Sequence, residues 1–255
     1  MTLSGNICIR QGFALDYCFE HAIESLLPVC DEVVVCDGES DDGTQEFIRE
    51  WMLREPKIKL CVYKWPDPVG QIDFWVDWLN FARTHIKTDY QLQLDADEVL
   101  HESSYPTILK LKERNARFSV RCQRYNFWRD AQHLIPHGVC CSHLVTRIAP
   151  QNVWLPSDGP HPNGQEAIMM AIDPPEQIEI YHYGFLRKPD AFFKKAKAIQ
   201  KMFFNSYDER LAKAETMTGN WMENCEVGWE NNLLPFNKPH PQRMIGWLQE
   251  RGYKV

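Results

Sequence analysis

Two aspartates, Asp95 and Asp97, follow the apolar run Tyr90-Gln91-Leu92-Gln93-Leu94, and they are the residues in this chain best placed to do chemistry. The run reads as a strand that delivers both acids to its carboxyl end. Strand side chains alternate, so Leu92, Leu94 and Ala96 are expected on one face and Asp95 and Asp97 together on the other. Two carboxylates so placed repel each other unless a cation or a hydrogen-bond donor lies between them. Hard oxygen ligands of this type suit Mg²⁺ or Mn²⁺, often shared with a substrate phosphate. A solvated acidic turn after a buried strand would leave the same pattern. A second acid, Asp37, favours the functional reading, because it too ends an apolar β-branched run, Val33-Val34-Val35-Cys36.

Those acids need a scaffold, and the flanking sequence supplies one. Val33–Cys36 has the composition of a strand buried on both faces of a parallel sheet. The turn-rich segment Gly38-Glu39-Ser40-Asp41-Asp42-Gly43-Thr44 follows it, then a helical pattern through Phe47, Ile48, Trp51 and Met52, with Asp42 or Thr44 as its cap. Further strands are expected at Gly5–Arg10 and Lys57–Tyr63, and helices at Leu15–Leu27 and Ile72–Lys87. Strands alternating with helices up to Leu111 form βαβ units and a parallel sheet. In such open sheets ligands bind beyond the carboxyl ends of the strands. Past Ala116 the pattern changes to strands at Phe118–Cys122 and His143–Ile148. Pro150–Pro175 is long enough to suspect a binding loop or lid.

The last third reads as more helical. Phe192, Ala196, Ile199 and Phe203 make an apolar stripe, with Lys194, Lys197 and Lys201 on another side and Lys188 and Lys195 close by. Such a basic face is ordinarily solvated; it could also meet a diphosphate, an anionic acceptor or a membrane surface. The expected division is a catalytic domain over 1–187 and a helical C-terminal extension over 188–255.

Composition narrows the class. With 255 residues, 44% hydrophobic and 25% charged, the chain can bury a full core. A net charge of −7 argues against nucleic acid as a partner, since dedicated binders carry an excess of Lys and Arg. No apolar run reaches membrane-spanning length and no signal-peptide pattern opens the chain. Nine cysteines without regular spacing suggest free thiols in a reducing compartment, hence a cytoplasmic location. Cys8, Cys36 and Cys61 read as small core residues. Cys140 and Cys141 with His137 and His143 fit no usual zinc spacing, and core packing accounts for them better.

Taken together, Val33–Thr44 resembles the first signature of family 2 glycosyltransferases of the GT-A fold, and Leu94–Glu98 resembles their Asp-x-Asp signature. Asn80-Phe81-Ala82 stands at the matching distance before the acidic strand. Tyr181-His182-Tyr183-Gly184 is similar to the late histidine segment that completes the metal site in many such enzymes. The resemblance implies a GT-A-like (Rossmann-related) α/β domain, a mostly parallel sheet flanked by helices, acting on a UDP, GDP or dTDP sugar and a glycan or other hydroxyl acceptor. It implies Mn²⁺ or Mg²⁺ held by Asp97, with Asp95 and His182. Asp95 would also contact the ribose and Asp37 the base, with Arg10 and Asn80 as further contacts to the nucleotide. The first strand departs from the family, running into Arg10-Gln11-Gly12-Phe13 instead of a Pro-x-x-Asn-Glu-like turn. For His182, on the strand face of Ile178 and Ile180, a satisfied core histidine is the competing account.

An inverting transfer also needs a base for the acceptor hydroxyl. Asp158 in the long loop is the first candidate and Glu166 the second, with His161 as a rival. An Asp before Gly is equally well explained as a turn former, and a retaining outcome stays open. Trp128, Trp154 and Trp229 could stack on sugar rings or simply pack the core. Asp95-Ala96-Asp97-Glu98-Val99 also resembles the nucleophile motif of haloacid-dehalogenase-type phosphatases, in which Asp95 would attack phosphorus and Asp97 act as acid and base. A nucleotide-sugar-binding domain without turnover is the third reading.

Overall fold

A computed structural model describes residues 1–66, 73–114, 118–137, 142–153, 155, 170–174, 176–204 and 232–255. Its first half is built as expected from βαβ units. Strands β1 (Leu3–Ile9), β2 (Glu32–Asp37), β3 (Ile58–Val62) and β4 (Tyr90–Asp95) run parallel in the order β3-β2-β1-β4. Helices α1 (Phe19–Leu26), α2 (Thr44–Met52) and α3 (Asp73–Thr84) connect them. Alternation along the strands makes two apolar layers. Ile7, Ile9, Val33 and Val35 pack with Phe19, Ile23 and Ile48 of α1 and α2, whereas Val34, Cys36 and Cys61 pack with Trp78 and Ala82 of α3.

The sheet continues from β4 through β8 (Leu144–Pro150), β6 (Ser119–Asn126) and β10 (Glu179–His182) to β5 (Glu98–Leu100), with β9 (Ala171–Ile172) beside β6. Strand β8 is antiparallel to both β4 and β6, β5 is antiparallel to β10, and the other pairs are parallel. This is the mixed α/β, mostly parallel sheet flanked by helices that a GT-A-like chain requires. Helix α4 (Tyr105–Lys112) lies in the α1 layer through Ile108 and Leu111.

Of the segment beyond residue 188, helix α5 (Pro189–Phe204), strand β11 (Leu234–Pro235) and helix α6 (Ile245–Glu250) are described. Strand β11 pairs with β7 (His133–Leu134), and Phe236, Met244, Trp247 and Leu248 share a second core with Phe127, Tyr181 and Tyr183. This part is therefore packed on the sheet. Trp128 also belongs to that core, edge-on to Phe185 at 5.1 Å, which fits packing rather than sugar stacking. No helix among the described residues is long and apolar enough to cross a membrane.

Two local expectations are corrected. Helix α1 begins at Phe19, not Leu15, because Gln11 (φ 56°) and Asp16 (φ 50°) turn the chain in the left-handed region before it. Strand β4 stops at Asp95, so Asp97 lies in a turn and strand alternation does not govern its direction.

Candidate functional site

The order β3-β2-β1-β4 reverses direction at β1, so the carboxyl ends of β1 and β4 flank a switch point, where open sheets keep their binding crevice. Asp37 is in register with Ile9, and Asp95 with Cys8, on the two strands that flank β1. The two acids thus lie on one edge, about 10 Å apart by strand spacing. The loops after β1 and β2 are knitted together. Gln11 N donates to Ser40 Oγ (2.7 Å), Gly12 N to Thr44 Oγ1 (2.9 Å) and Ala14 N to Asp42 Oδ2 (2.7 Å). Asp42 therefore ties two loops, besides accepting from Thr44 at the start of α2. Asp37 is fully buried. It accepts from Ser40 N (2.8 Å), Ser40 Oγ (2.6 Å) and Gln45 Nε2 (2.6 Å), so closing the β2–α2 turn accounts for its carboxylate. Burial raises its pKa, and the bonds from Ser40 and Gln45 work against that. Arg10 stands on the same edge, its Nε donating to Gly38 O (2.9 Å) and its guanidinium lying 4.4 Å over Trp65.

Asp95 and Asp97 part company. Glu98 folds back so that its Oε2 accepts from Asp95 N (3.0 Å), forcing the chain to turn at Ala96-Asp97. Asp95 Oδ2 accepts from Arg147 of β8 (3.1 Å), which also donates to Glu98 Oε1 (2.8 Å), an oxygen shared with Arg124 of β6 (3.0 Å). Glu98 and Arg124 are wholly buried. This neutral network props Asp95 from beneath.

Asp97 is met by a different set. The turn sends β5 against β10 with Glu98 opposite His182, and Tyr183 N donates to Asp97 O (2.9 Å), which seats the imidazole beside the carboxylate. His182 Nε2 lies 3.7 Å from Asp97 Oδ1. Asn126, in register with His182 on β6, accepts at Oδ1 from Nδ1 (2.9 Å), while its Nδ2 donates to Ser142 O (3.3 Å). That orientation puts the ring proton on Nδ1 and leaves a lone pair at Nε2 facing Asp97. Burial lowers the His182 pKa to about 4 against the opposing pull of Asp97, so the ring is neutral at pH 7. The satisfied-core account therefore covers only half of the ring.

The second oxygen of Asp97 carries two cations. Arg187 NH2 donates to Oδ2, and Lys195 Nζ on α5 donates to the same atom at 2.7 Å. Burial would raise this carboxyl's pKa; Lys195 and then Arg187 override it and hold it well below the usual range. Arg187 is fixed by Leu15 O, Gly184 O and the Tyr17 ring. Among the described residues, Asp95, Asp97 and Glu98 thus meet Arg124, Arg147, Arg187 and Lys195 in ion pairs.

For a metal, the fit is specific and partial. Asp97 Oδ1 and His182 Nε2 oppose two lone pairs with no proton between them, a pair that a divalent cation would bridge. Among the described residues no three His, Cys, Asp or Glu side chains converge on one metal position, so Asp95 does not join that pair as a ligand. Gly184 keeps the space open, since a Cβ there would lie 2.8 Å from Asp97 Oδ2 and closer still to His182 Nε2. Gly184→Ala is expected to weaken Mn²⁺ binding roughly 10- to 100-fold, the range for disturbed support of a metal ligand. Isothermal titration with Mn²⁺ would check this; unchanged affinity would deny the pair a ligand role.

Asn80 lies on α3 between Trp78 and Phe81, whose rings pack on Tyr63 just beyond the carboxyl end of β3. Asp158, Glu166, His161, Trp154, Trp229, Cys140 and Cys141 lie outside the described residues. His137 and His143 do meet, with ring centroids 4.2 Å apart. The sequence reading missed Arg187, Arg147 and Asn126. For Arg147 and Arg187 the available signal was a charge inside an otherwise largely apolar strand or turn; for Asn126, in the mixed strand β6, there was none.

No protein-family model matches the chain, and neither does any curated protein. Among solved structures, S. aureus TarS 1-349 is similar at TM-score 0.48 and 14% identity, over 91% of this chain and 73% of that one. Against a longer TarS structure the chain covers 45% of that chain. TarS 1-349 in complex with UDP-GlcNAc matches at TM-score 0.47 and 14% identity, over 84% of this chain and 70% of that one. A Bacillus anthracis protein assigned as a glucose-1-phosphate thymidylyltransferase, in complex with sucrose, matches at TM-score 0.46 and 10% identity, over 87% and 99%. These likenesses concern the arrangement of elements and carry no argument about chemistry.

Proposed function

We propose that the chain is a metal-dependent glycosyltransferase that moves a sugar from a UDP, GDP or dTDP sugar to a hydroxyl of a glycan or other acceptor. The observation that carries this reading is the Asp97 Oδ1–His182 Nε2 pair at the switch-point edge, backed by Arg187 and Lys195. Asp97 and His182 would hold Mn²⁺ or Mg²⁺, with phosphate oxygens and water filling the remaining positions, as such ions prefer. When bound, the ion offsets negative charge growing on the departing diphosphate. Asp95, held by Arg147, would accept from ribose hydroxyls. Arg10 and Trp65 offer a flat cationic surface on the side of the edge where Asp37 lies, suited to a base.

Asp158 is the proposed acceptor base for an inverting transfer, and Glu166 its rival. Asp158→Asn should keep nucleotide-sugar binding and lose transfer by about 100-fold or more, the usual size of general-base catalysis. An active variant would move the role to Glu166.

A phosphatase using Asp95 as nucleophile needs Asp97 to hold and give a proton. Arg187 and Lys195 keep that carboxyl ionised, which works against this alternative. The test is a thermal-shift panel of UDP, GDP, CMP and dTDP sugars with and without Mn²⁺. One family of sugar nucleotides should raise the melting temperature, and more so with Mn²⁺. No response to any of them overturns the reading, and a response without turnover on any acceptor would make the chain a binding domain.

A further inference from the structure

Arg187 and Lys195 share one carboxylate oxygen yet are held in opposite ways. The Arg187 side chain is 1% exposed, and its three nitrogens donate to Leu15 O, Gly184 O and Asp97 Oδ2. It is built in. The Lys195 side chain is 19% exposed; among the described residues its hydrogen bond goes to Asp97 Oδ2, and its other contact is the Tyr17 ring at 5.1 Å. It hangs from α5 on a flexible four-carbon stem, a compact charge that can be redirected at small cost.

A divalent cation at Asp97 Oδ1 and the Lys195 ammonium at Oδ2 would compete for the same negative charge. Arg187 cannot leave without abandoning two carbonyls, Leu15 O and Gly184 O. Lys195 can, and a diphosphate arriving with the ion is the anion that would receive it.

We propose that Lys195 is a diphosphate-binding residue, parked on Asp97 in the empty protein and transferred to the phosphates of the sugar nucleotide as a divalent cation takes its place. This rests on the nucleotide-sugar reading above. Lys195 would then have two opposite effects: it weakens binding of the metal alone and strengthens binding of the metal with a nucleoside diphosphate. A purely structural lysine would not separate the two.

The test uses the full chain, Lys195→Met and Lys195→Arg, with Mn²⁺ alone and with UDP, GDP, CDP and dTDP at saturating Mn²⁺ as probes. Lys195→Met leaves the Asp97–Arg187 pair intact, and its metal-free melting temperature checks that it folds. The expected result is tighter Mn²⁺ binding by a few-fold, together with nucleoside diphosphate binding weakened roughly 10- to 100-fold, the size of a charged hydrogen bond. Lys195→Arg should recover most of the diphosphate affinity. If the native chain binds a nucleoside diphosphate and Lys195→Met binds it equally well, the assignment of Lys195 falls while the nucleotide-sugar reading stands. If Lys195→Met weakens Mn²⁺ alone as well, the parking contact is structural and the proposal is overturned. If the native chain binds none of the four, the underlying reading fails and Lys195 falls with it.

Discussion

Asp97→Asn is expected to abolish Mn²⁺-dependent stabilisation by any sugar nucleotide and to lower transfer by about 1,000-fold or more, as when a preorganised charge at a reacting centre is lost. The amide keeps the shape of the side chain and removes its charge. It also removes the partner of Arg187, whose side chain is almost fully buried. An uncompensated buried cation costs about 3–5 kcal/mol, so the metal-free variant should also melt earlier. These two losses can be told apart. Adding Arg187→Met to Asp97→Asn removes the stranded charge and should recover part of the stability, but no Mn²⁺ response, since stability and metal binding have different origins here. Calorimetry of both variants with and without Mn²⁺ and the best sugar nucleotide reads the outcome. A single variant that retained metal-enhanced binding would show that the ion sits elsewhere.

Glu98→Gln should produce the largest loss of stability without touching substrate. Its Oε1 serves two buried guanidiniums and its Oε2 the amide of Asp95. Removing the charge takes away the carboxylate that Arg124 and Arg147 share. The expected cost is about 3–5 kcal/mol, or roughly 6–20 °C in melting temperature for a chain of this size. Replacement of all three by apolar residues of similar volume should be far milder, because a buried ionic network repays little beyond its own desolvation. Nucleotide affinity should also fall, since Glu98 no longer fixes the arginine that aims Asp95. A loss below 1 kcal/mol in chemical denaturation would mean the network is wetter than its burial indicates.

The parts of this design that obey local periodicity were legible in the sequence. The β-branched run ending at Asp37 and the alternation of β1 to β4 with helices gave the parallel half of the sheet and its binding edge. The strand that ends at His182 could be read from Ile178, Ile180 and His182, which alternate onto one face. Alternation failed at Asp97, since Glu98 reaches back to the Asp95 amide and breaks the strand; one side-chain hydrogen bond redirected the Asp97 carboxylate. Arg187 was invisible for another reason. Its partner is 90 residues away, and nothing local marks an arginine after Gly-Phe-Leu as buried. Arg124 stands in a strand of mixed polarity and Arg147 in a largely apolar one, and only a paired view of β6 and β8 shows them sharing one glutamate. Asp37 adds a second lesson: a strand-tip acid suited to a ligand also closes its own turn, accepting three hydrogen bonds from Ser40 and Gln45.

The account stands on Asp97 and His182 holding one ion together. The most direct measurement is a crystal of the full chain grown with Mn²⁺ and UDP, with diffraction collected for anomalous scattering from manganese. The expected result is a single strong peak within direct coordination distance of both Asp97 Oδ1 and His182 Nε2, with phosphate oxygens completing the shell. A manganese peak bound elsewhere, with the Asp97–His182 gap still empty beside bound UDP, would contradict it.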